Sequence, residues 1–310
     1  MNDLFDILFH DILPIFVGIG LGFAFGRRFK PDAQILSRIA FYIFSPCLVF
    51  TSLVRSTVAS SELLQIAAFT VVVALVMGGL GWFAARLLHL DARAAAGLVL
   101  VCMFVNGGNY GLGVNQRAFG DEGLARAVIY FITSTLMVYT IGVAVAVSGG
   151  NGNGAGARHA IMQVFKVPPA YAAIIAILVR SLAIDMSQPV LEPILAGVEI
   201  MGRAAIPAML TILGIQLAQT TVAEHIQPAL VASGLRLLAA PVIAWGAAAL
   251  LGLTGLARQT SILEASMPAA VINTILATEY GSSPMLVTST VVISTLLSPF
   301  TLAFIISLLK

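Results

Sequence analysis

Apolar residues fill this chain in blocks of twenty or so, separated by short clusters of Gly, Pro, Arg or Asp. A helix needs about 20 mostly apolar residues to cross the hydrocarbon core of a bilayer. Read at that length, the pattern predicts ten spanning helices, at about 5–26, 33–54, 62–88, 92–115, 124–147, 167–185, 192–219, 226–253, 260–278 and 284–308. Two stretches, Leu63 to Ala85 and Tyr280 to Leu309, contain no charged residue at all. Two blocks are broken from within by polar and helix-weakening letters. Helix four carries "FVNGGNYGLGVN" at 104–115 and helix nine carries "SMPAAVIN" at 266–273. Proline removes an amide donor and clashes with the preceding turn, while paired glycines relax the backbone out of the helix. Backbone groups freed in lipid cost several kcal/mol each unless protein, water or a ligand satisfies them.

The two breaks are related. A constant shift of 161 residues lays Pro46 on Pro207, Phe119-Gly120 on Tyr280-Gly281, and Ile132-Thr133-Ser134 on Ile293-Ser294-Thr295. The same shift sets Gly107 opposite Pro268, and the glycine-rich run "SGGNGNGAGARH" falls at the join as a linker. Five helices per half is odd, so the second repeat lies inverted relative to the first. Inverted repeats with helices broken near the midplane are the plan of secondary transporters. The predicted fold is therefore all-α integral membrane: ten transmembrane helices as two inverted five-helix repeats.

Composition sharpens this picture. Hydrophobic residues make up 59% of the chain and charged residues 10%, with a mean hydropathy of +1.00, whereas soluble domains are about 25% charged. The net charge of +2 carries no basic stripe, so no nucleic-acid partner is expected. The acidic start "MNDLFDILFHDILPIF" lacks the basic region of a signal peptide, and the first helix is expected to stay in the mature protein. Arg27, Arg28, Lys30 and Arg38 between helices one and two place that loop in the cytoplasm, with both termini outside and the chain multi-pass in the cell (inner) membrane. Alternation then puts eight basic residues inside, against six outside. Cys47 and Cys102 lie inside apolar runs and read as packed thiols, and His10, His89, His159 and His225 fall near helix ends. The chain has no HExxH, GxSxG, P-loop or paired-Asp motif, so an enzyme is not expected and no cofactor is implied.

A few buried polar residues remain to be explained. Asn106, Asn109 and Asn115 can bond to the opened backbone, and half-helix ends offer their positive poles to an anion; such asparagines also glue helices together. An acid in a spanning helix costs about 2.5 to 3.5 kcal/mol on insertion scales and usually pairs, binds an ion or relays a proton. Glu264, four residues before Pro268, is thus a candidate coupling residue, with a salt bridge to the deep Arg236 as its structural alternative. Arg236 reads equally as counter-charge to a carboxylate. Glu199 and Arg203, spaced i, i+4, read as a structural pair. Pro46 and Pro207 read as scaffold bends, and Thr133, Ser134, Ser294 and Thr295 as hydroxyls that pack or line the path.

With those residues in view, "NGGNYGLGVNQRAFG", "EASMPAAVINTILATEYG" and "STLLSPFTL" resemble the two crossover regions of the auxin efflux carrier family, in its bacterial permease branch. The resemblance covers nearly the whole chain and implies a fold like that of the bile acid:sodium symporters. It implies scaffold helices one and two (1–61) and six and seven (167–222), and transport-domain helices three to five (62–147) and eight to ten (223–310). A cytoplasmic linker occupies 148–166, and broken helices four and nine cross. It further implies a homodimer through helices two and seven, elevator-type secondary transport of a small organic anion such as auxin or malonate, and sodium or a proton as coupling ion. The implied substrate site is Asn106, Gly107, Gly108, Asn109, Tyr110, Pro268, Ala269 and Asn273. Glu264 and Met267 match the ion-coupling pair of the symporters, as Gly107 and Gly108 match their Gly-Gly. Pro268 stands where the symporters have glutamine, and Arg126 and Tyr130 where they have hydroxyls, so Glu264 carries either a sodium or a proton. A potential-driven uniporter and a non-transporting sensor are the alternative readings.

Overall fold

A computed structural model describes residues 2–149, 167–220 and 226–310. It consists of helices: α1 (Leu4–Phe29), α2 (Ala33–Val54), α3 (Ser60–Leu87), α4 (Ala92–Met103), α5 (Gly107–Gly149), α6 (Pro168–Ser181), α7 (Leu191–Ala218), α8 (Ile226–Leu250), α9 (Gly255–Ala265), α10 (Ile272–Tyr280) and α11 (Pro284–Leu309). Seven of them (α1, α2, α3, α5, α7, α8 and α11) are long and apolar enough to cross a membrane. The exposed faces carry many large apolar residues, with Phe25, Leu64, Trp82, Leu178, Ile200, Val242, Leu250 and Phe300 all turned outward. This is a multi-pass membrane protein.

Capping residues set several boundaries. Asp32 accepts from the amides of Gln34 (2.8 Å) and Ile35 (3.2 Å) at the start of α2, and Asp91 accepts from Ala94 (2.8 Å) at the start of α4. The break expected at 116–123 is present but short. Predicted helices four and five meet there as the two arms of α5, separated at Gly120, whose backbone is not helical (φ 69°, ψ −165°). That conformation is open to glycine alone, so one residue makes the whole turn. Predicted helix four in turn divides between α4 and the first arm of α5, and predicted helix nine between α9 and α10. Helix six ends at Ser181 instead of 185. Of the expected linker, 150–166 lies outside the described residues, as do His159 and His225.

The helices pack in two groups. In one, α7 runs along α1 and α2, and α6 covers α2; in the other, α3 packs on α4 and α5, α9 on α5 and α8, and α11 on α4, α8 and α10. The α1–α7 seam is closed by small residues. A Cβ at Gly214 would lie 2.6 Å from the Phe23 nitrogen, and one at Gly22 would lie 2.8 Å from the Thr211 carbonyl carbon. Gly18, Gly22 and Gly26 repeat every four residues on α1, the small-residue spacing that lets membrane helices approach backbone to backbone. Gly214→Leu is expected to force the seam apart and abolish recovery of monodisperse protein, measured by size-exclusion chromatography in detergent; a wild-type profile would refute the close approach.

The predicted Glu199–Arg203 pair does not form. Arg203 is exposed on α7, while Glu199 turns toward α2 and pairs with Arg55 at that helix's end. Three contacts join the groups at one end of the molecule: Lys310 Nζ to Asp11 Oδ2 at 2.5 Å, Arg117 Nη2 to the His10 carbonyl at 2.6 Å, and Thr57 Oγ1 to Glu122 at 3.1 Å.

Candidate functional site

Both breaks are built from backbone that has left the helix. Phe104 is extended (φ −113°, ψ 122°), and Asn106 (φ −78°, ψ 56°) precedes the π turn Gly107–Gly111 that opens α5. On the other strand of the crossing, residues 266–271 separate α9 from α10. The two segments meet. Asn106 N donates to Pro268 O at 2.8 Å and Ala270 N to Phe104 O at 3.0 Å, which sets Val105 opposite Ala269 in an antiparallel bridge. Asn273 Nδ2 donates to the second lone pair of Phe104 O (3.1 Å), and Ser294 Oγ accepts from Ala269 N (3.2 Å). Backbone groups that lipid would leave bare are thus paired with one another and with side chains.

A cavity of about 710 Å3 ends on this crossing. Its floor is Val105 to Asn109 together with Ala270, Val271 and Ile272. Its walls are Phe131, Ser134, Thr135 and Tyr139 of α5, Ser37 and Phe41 of α2, and Met209 and Gln216 of α7. Its mouth is formed by exposed Gln34, Arg38, Gln219 and Glu279. The π turns Ala40–Phe44 and Val138–Gly142 also face it, consistent with the habit of π turns to occur at functional sites. Asn106 is 4% exposed and its Nδ2 has no partner. It stands beside the N-terminal ends of α5 and α10, whose first-turn amides have no carbonyl within the helix to receive them.

Behind the crossing lie two ionisable groups. Glu264 is fully buried; its Oε1 accepts from Asn115 Nδ2 at 3.1 Å, while Oε2 has no partner. It occupies space left by two glycines on the first turn of α5, since a Cβ at Gly107 would come 2.8 Å from Oε2 and one at Gly111 would come 2.6 Å from Oε1. Arg236 does not pair with Glu264, so the alternative reading of a salt bridge between them does not hold. Its guanidinium donates to backbone carbonyls of Cys102, Ala265 and Met267. With all three nitrogens so engaged at 1% exposure, it has no face for a substrate carboxylate either.

The expected substrate residues thus divide. Asn106, Gly107, Gly108 and Asn109 reach the cavity. Tyr110 does not: its ring lies edge-on to Phe16, and its hydroxyl shares a hydrogen bond of 3.1 Å with Ser298 Oγ. Pro268, Ala269 and Asn273 build the crossing instead of the cavity surface, where Ala270, Val271 and Ile272 stand. Met267 is buried; its carbonyl accepts from Arg236 and its amide donates to the Glu264 carbonyl. Of the hydroxyls, Ser134 lines the cavity and Ser294 holds the break, whereas Thr133 bonds its own helix. Arg126 is held by Glu62 and Glu122, and Tyr130 is buried against Phe69. Asn115 as partner of Glu264, and the α2 and α7 walls, were not legible in the sequence; only the depth of Asn115 in an apolar block pointed to it.

Broken helices meeting at the floor of a cavity inside a bundle of apolar spanning helices define a membrane transporter. The family described as membrane transport protein matches residues 7–306, and the chain belongs to this family, that of the auxin efflux carriers. An uncharacterized transporter of Methanothermobacter thermautotrophicus is 30% identical over 293 residues, covering 93% of each chain. A second uncharacterized transporter, of Methanocaldococcus jannaschii, is 26% identical over 283 residues, covering 90% of each.

Proposed function

We propose that this chain is a secondary active transporter of a small organic anion, with the anionic group received by Asn106 between the N-terminal ends of α5 and α10. The observation that carries this is the unpartnered, buried amide of Asn106 at the floor of the cavity. A donor without an acceptor costs about 1–3 kcal/mol when buried, and two positive helix poles beside it favour negative charge. Among the described residues no lysine or arginine lines the floor, which suits an anion that must leave as readily as it enters.

The repeat of 161 residues and the paired breaks support two inverted halves with crossed helices. The closer packing of α1, α2, α6 and α7 on one another than on the rest supports a scaffold and a transport domain that slides past it as an elevator, with the scaffold dimerising through α2 and α7. The cavity mouth at Arg38, Gln219 and Glu279 faces the side assigned to the cytoplasm by the basic loop, with both termini outside. Glu264 carries the coupling ion, a proton or a sodium: a buried carboxyl with one partner is stable neutral or facing a cation.

Uptake of labelled dicarboxylates and indole-type monocarboxylates into proteoliposomes, with sodium and proton gradients imposed separately, tests this reading. Saturable flux that follows one gradient is expected. Asn106→Ala should raise the KM of the transported anion about tenfold to a hundredfold, the worth of a hydrogen bond to a charged group, with kcat less affected. Flux indifferent to both gradients would instead indicate a uniporter, and no flux of any anion would indicate a sensor.

A further inference from the structure

Arg236 lies on the π turn Leu235–Ala239 of α8 and is the largest fully buried side chain among the described residues. Among the described residues no carboxylate forms a salt bridge with it. Its partners are carbonyls that the two breaks set free. In an unbroken helix the Cys102 carbonyl would receive the amide of residue 106, and the Ala265 carbonyl that of residue 269. Here those amides are elsewhere, Asn106 N on Pro268 O and Ala269 N on Ser294 Oγ. Arg236 Nη1 takes the Cys102 carbonyl at 2.5 Å, Nη2 takes that of Ala265, and Nε takes that of Met267 at 3.3 Å. One side chain therefore bridges the C-terminal ends of α4 and α9. Each such end carries about half a negative elementary charge, so two together match one guanidinium. Glu264 belongs to the last turn of α9, but its carboxyl turns away from the guanidinium and packs against the first turn of α5, beside Gly107 and Gly111.

We propose that Arg236 is a positioning residue serving as the built-in cation of the crossing, doing for the ends of α4 and α9 what a bound alkali cation would do with the same carbonyls. The crossing then needs no metal ion at this point, and the N-terminal ends of α5 and α10 stay set at the cavity floor whatever the salt. Removing the guanidinium leaves a cluster of carbonyls at two negative poles, a site for a small monovalent cation.

The test is the melting temperature of the purified protein in choline chloride, with guanidinium, sodium or potassium chloride substituted at about 10 mM, far below the molar denaturing range of guanidinium. Wild type should show no cation-specific shift. Arg236→Ala should melt lower by roughly 10 °C in choline and regain most of that loss in guanidinium, less in sodium or potassium. Arg236→Met, which fills the same space without charge, should remain low in choline, whereas Arg236→Lys should keep most of the wild-type value with no response to cations. A merely space-filling role predicts that Met restores stability and Lys does no better. The proposal is overturned by an alanine variant as stable as wild type, by one that no small cation stabilises (including one that folds in none of them), or by a methionine variant equal to lysine.

Discussion

Glu264→Gln is expected to reduce anion accumulation under an ion gradient to the level of protein-free vesicles, while exchange of internal for external labelled anion continues. Glutamine keeps the volume of the buried side chain and can still accept from Asn115 Nδ2 through its carbonyl oxygen. What it loses is the ability to gain and lose a proton or to neutralise a cation. Accumulation needs that change of charge, because it ties the loaded and unloaded states to the gradient, whereas exchange between two loaded states does not. Folding should survive, since a neutral amide in this place needs no counter-charge. Paired accumulation and exchange assays in proteoliposomes check this, with the melting temperature as control. Accumulation that persists undiminished would move coupling away from Glu264.

Gly111→Ala is expected to remove most of the folded protein and all gradient-driven uptake, and Glu264→Ala in the same chain to restore folding without restoring uptake. A methyl at position 111 would fall 2.6 Å from Glu264 Oε1 and 2.8 Å from its Cδ, well inside van der Waals contact. The carboxyl group is itself pinned by Asn115 and fully enclosed, so it has little room to yield. Overpacking of this kind costs about 1–3 kcal/mol, and a carboxyl pushed off its only hydrogen bond adds about as much again. Truncating Glu264 opens the space, so the two changes should be strongly non-additive. Melting temperatures of the wild type, both single variants and the double variant measure this. Equal cost of Gly111→Ala with and without the Glu264 side chain would show that the glycine does not serve the carboxylate.

The outcome at individual residues explains what could be read from the chain. The breaks at 104–109 and 266–271 were visible because glycine pairs and proline act on their own backbone, within a few residues. Glu264 and Arg236 stood out because an ionisable group in an apolar block is anomalous wherever it folds. Their partners were not legible. Glu199 has Arg203 one turn away in sequence, yet it pairs with Arg55, since which face of α7 meets α2 depends on how the two helices pack. Tyr110 sits inside the polar motif, yet the pitch of the π turn carries it to Ser298 and away from the cavity. The glycines of the α1–α7 seam passed as ordinary helix letters because their use is the approach of a second backbone.

The sequence by itself determined that this is a membrane protein of apolar helices, where two of them break, and which ionisable groups stand inside apolar blocks, because hydropathy, backbone freedom and the cost of burying charge are properties of short stretches. The tertiary structure alone decided that the two breaks pair through Val105 and Ala269, that Arg236 serves carbonyls instead of Glu264, and that Asn106 is left with a free amide at the floor of a cavity. Those outcomes depend on which helices come together, and groups more than a hundred residues apart meet only once the whole bundle has closed.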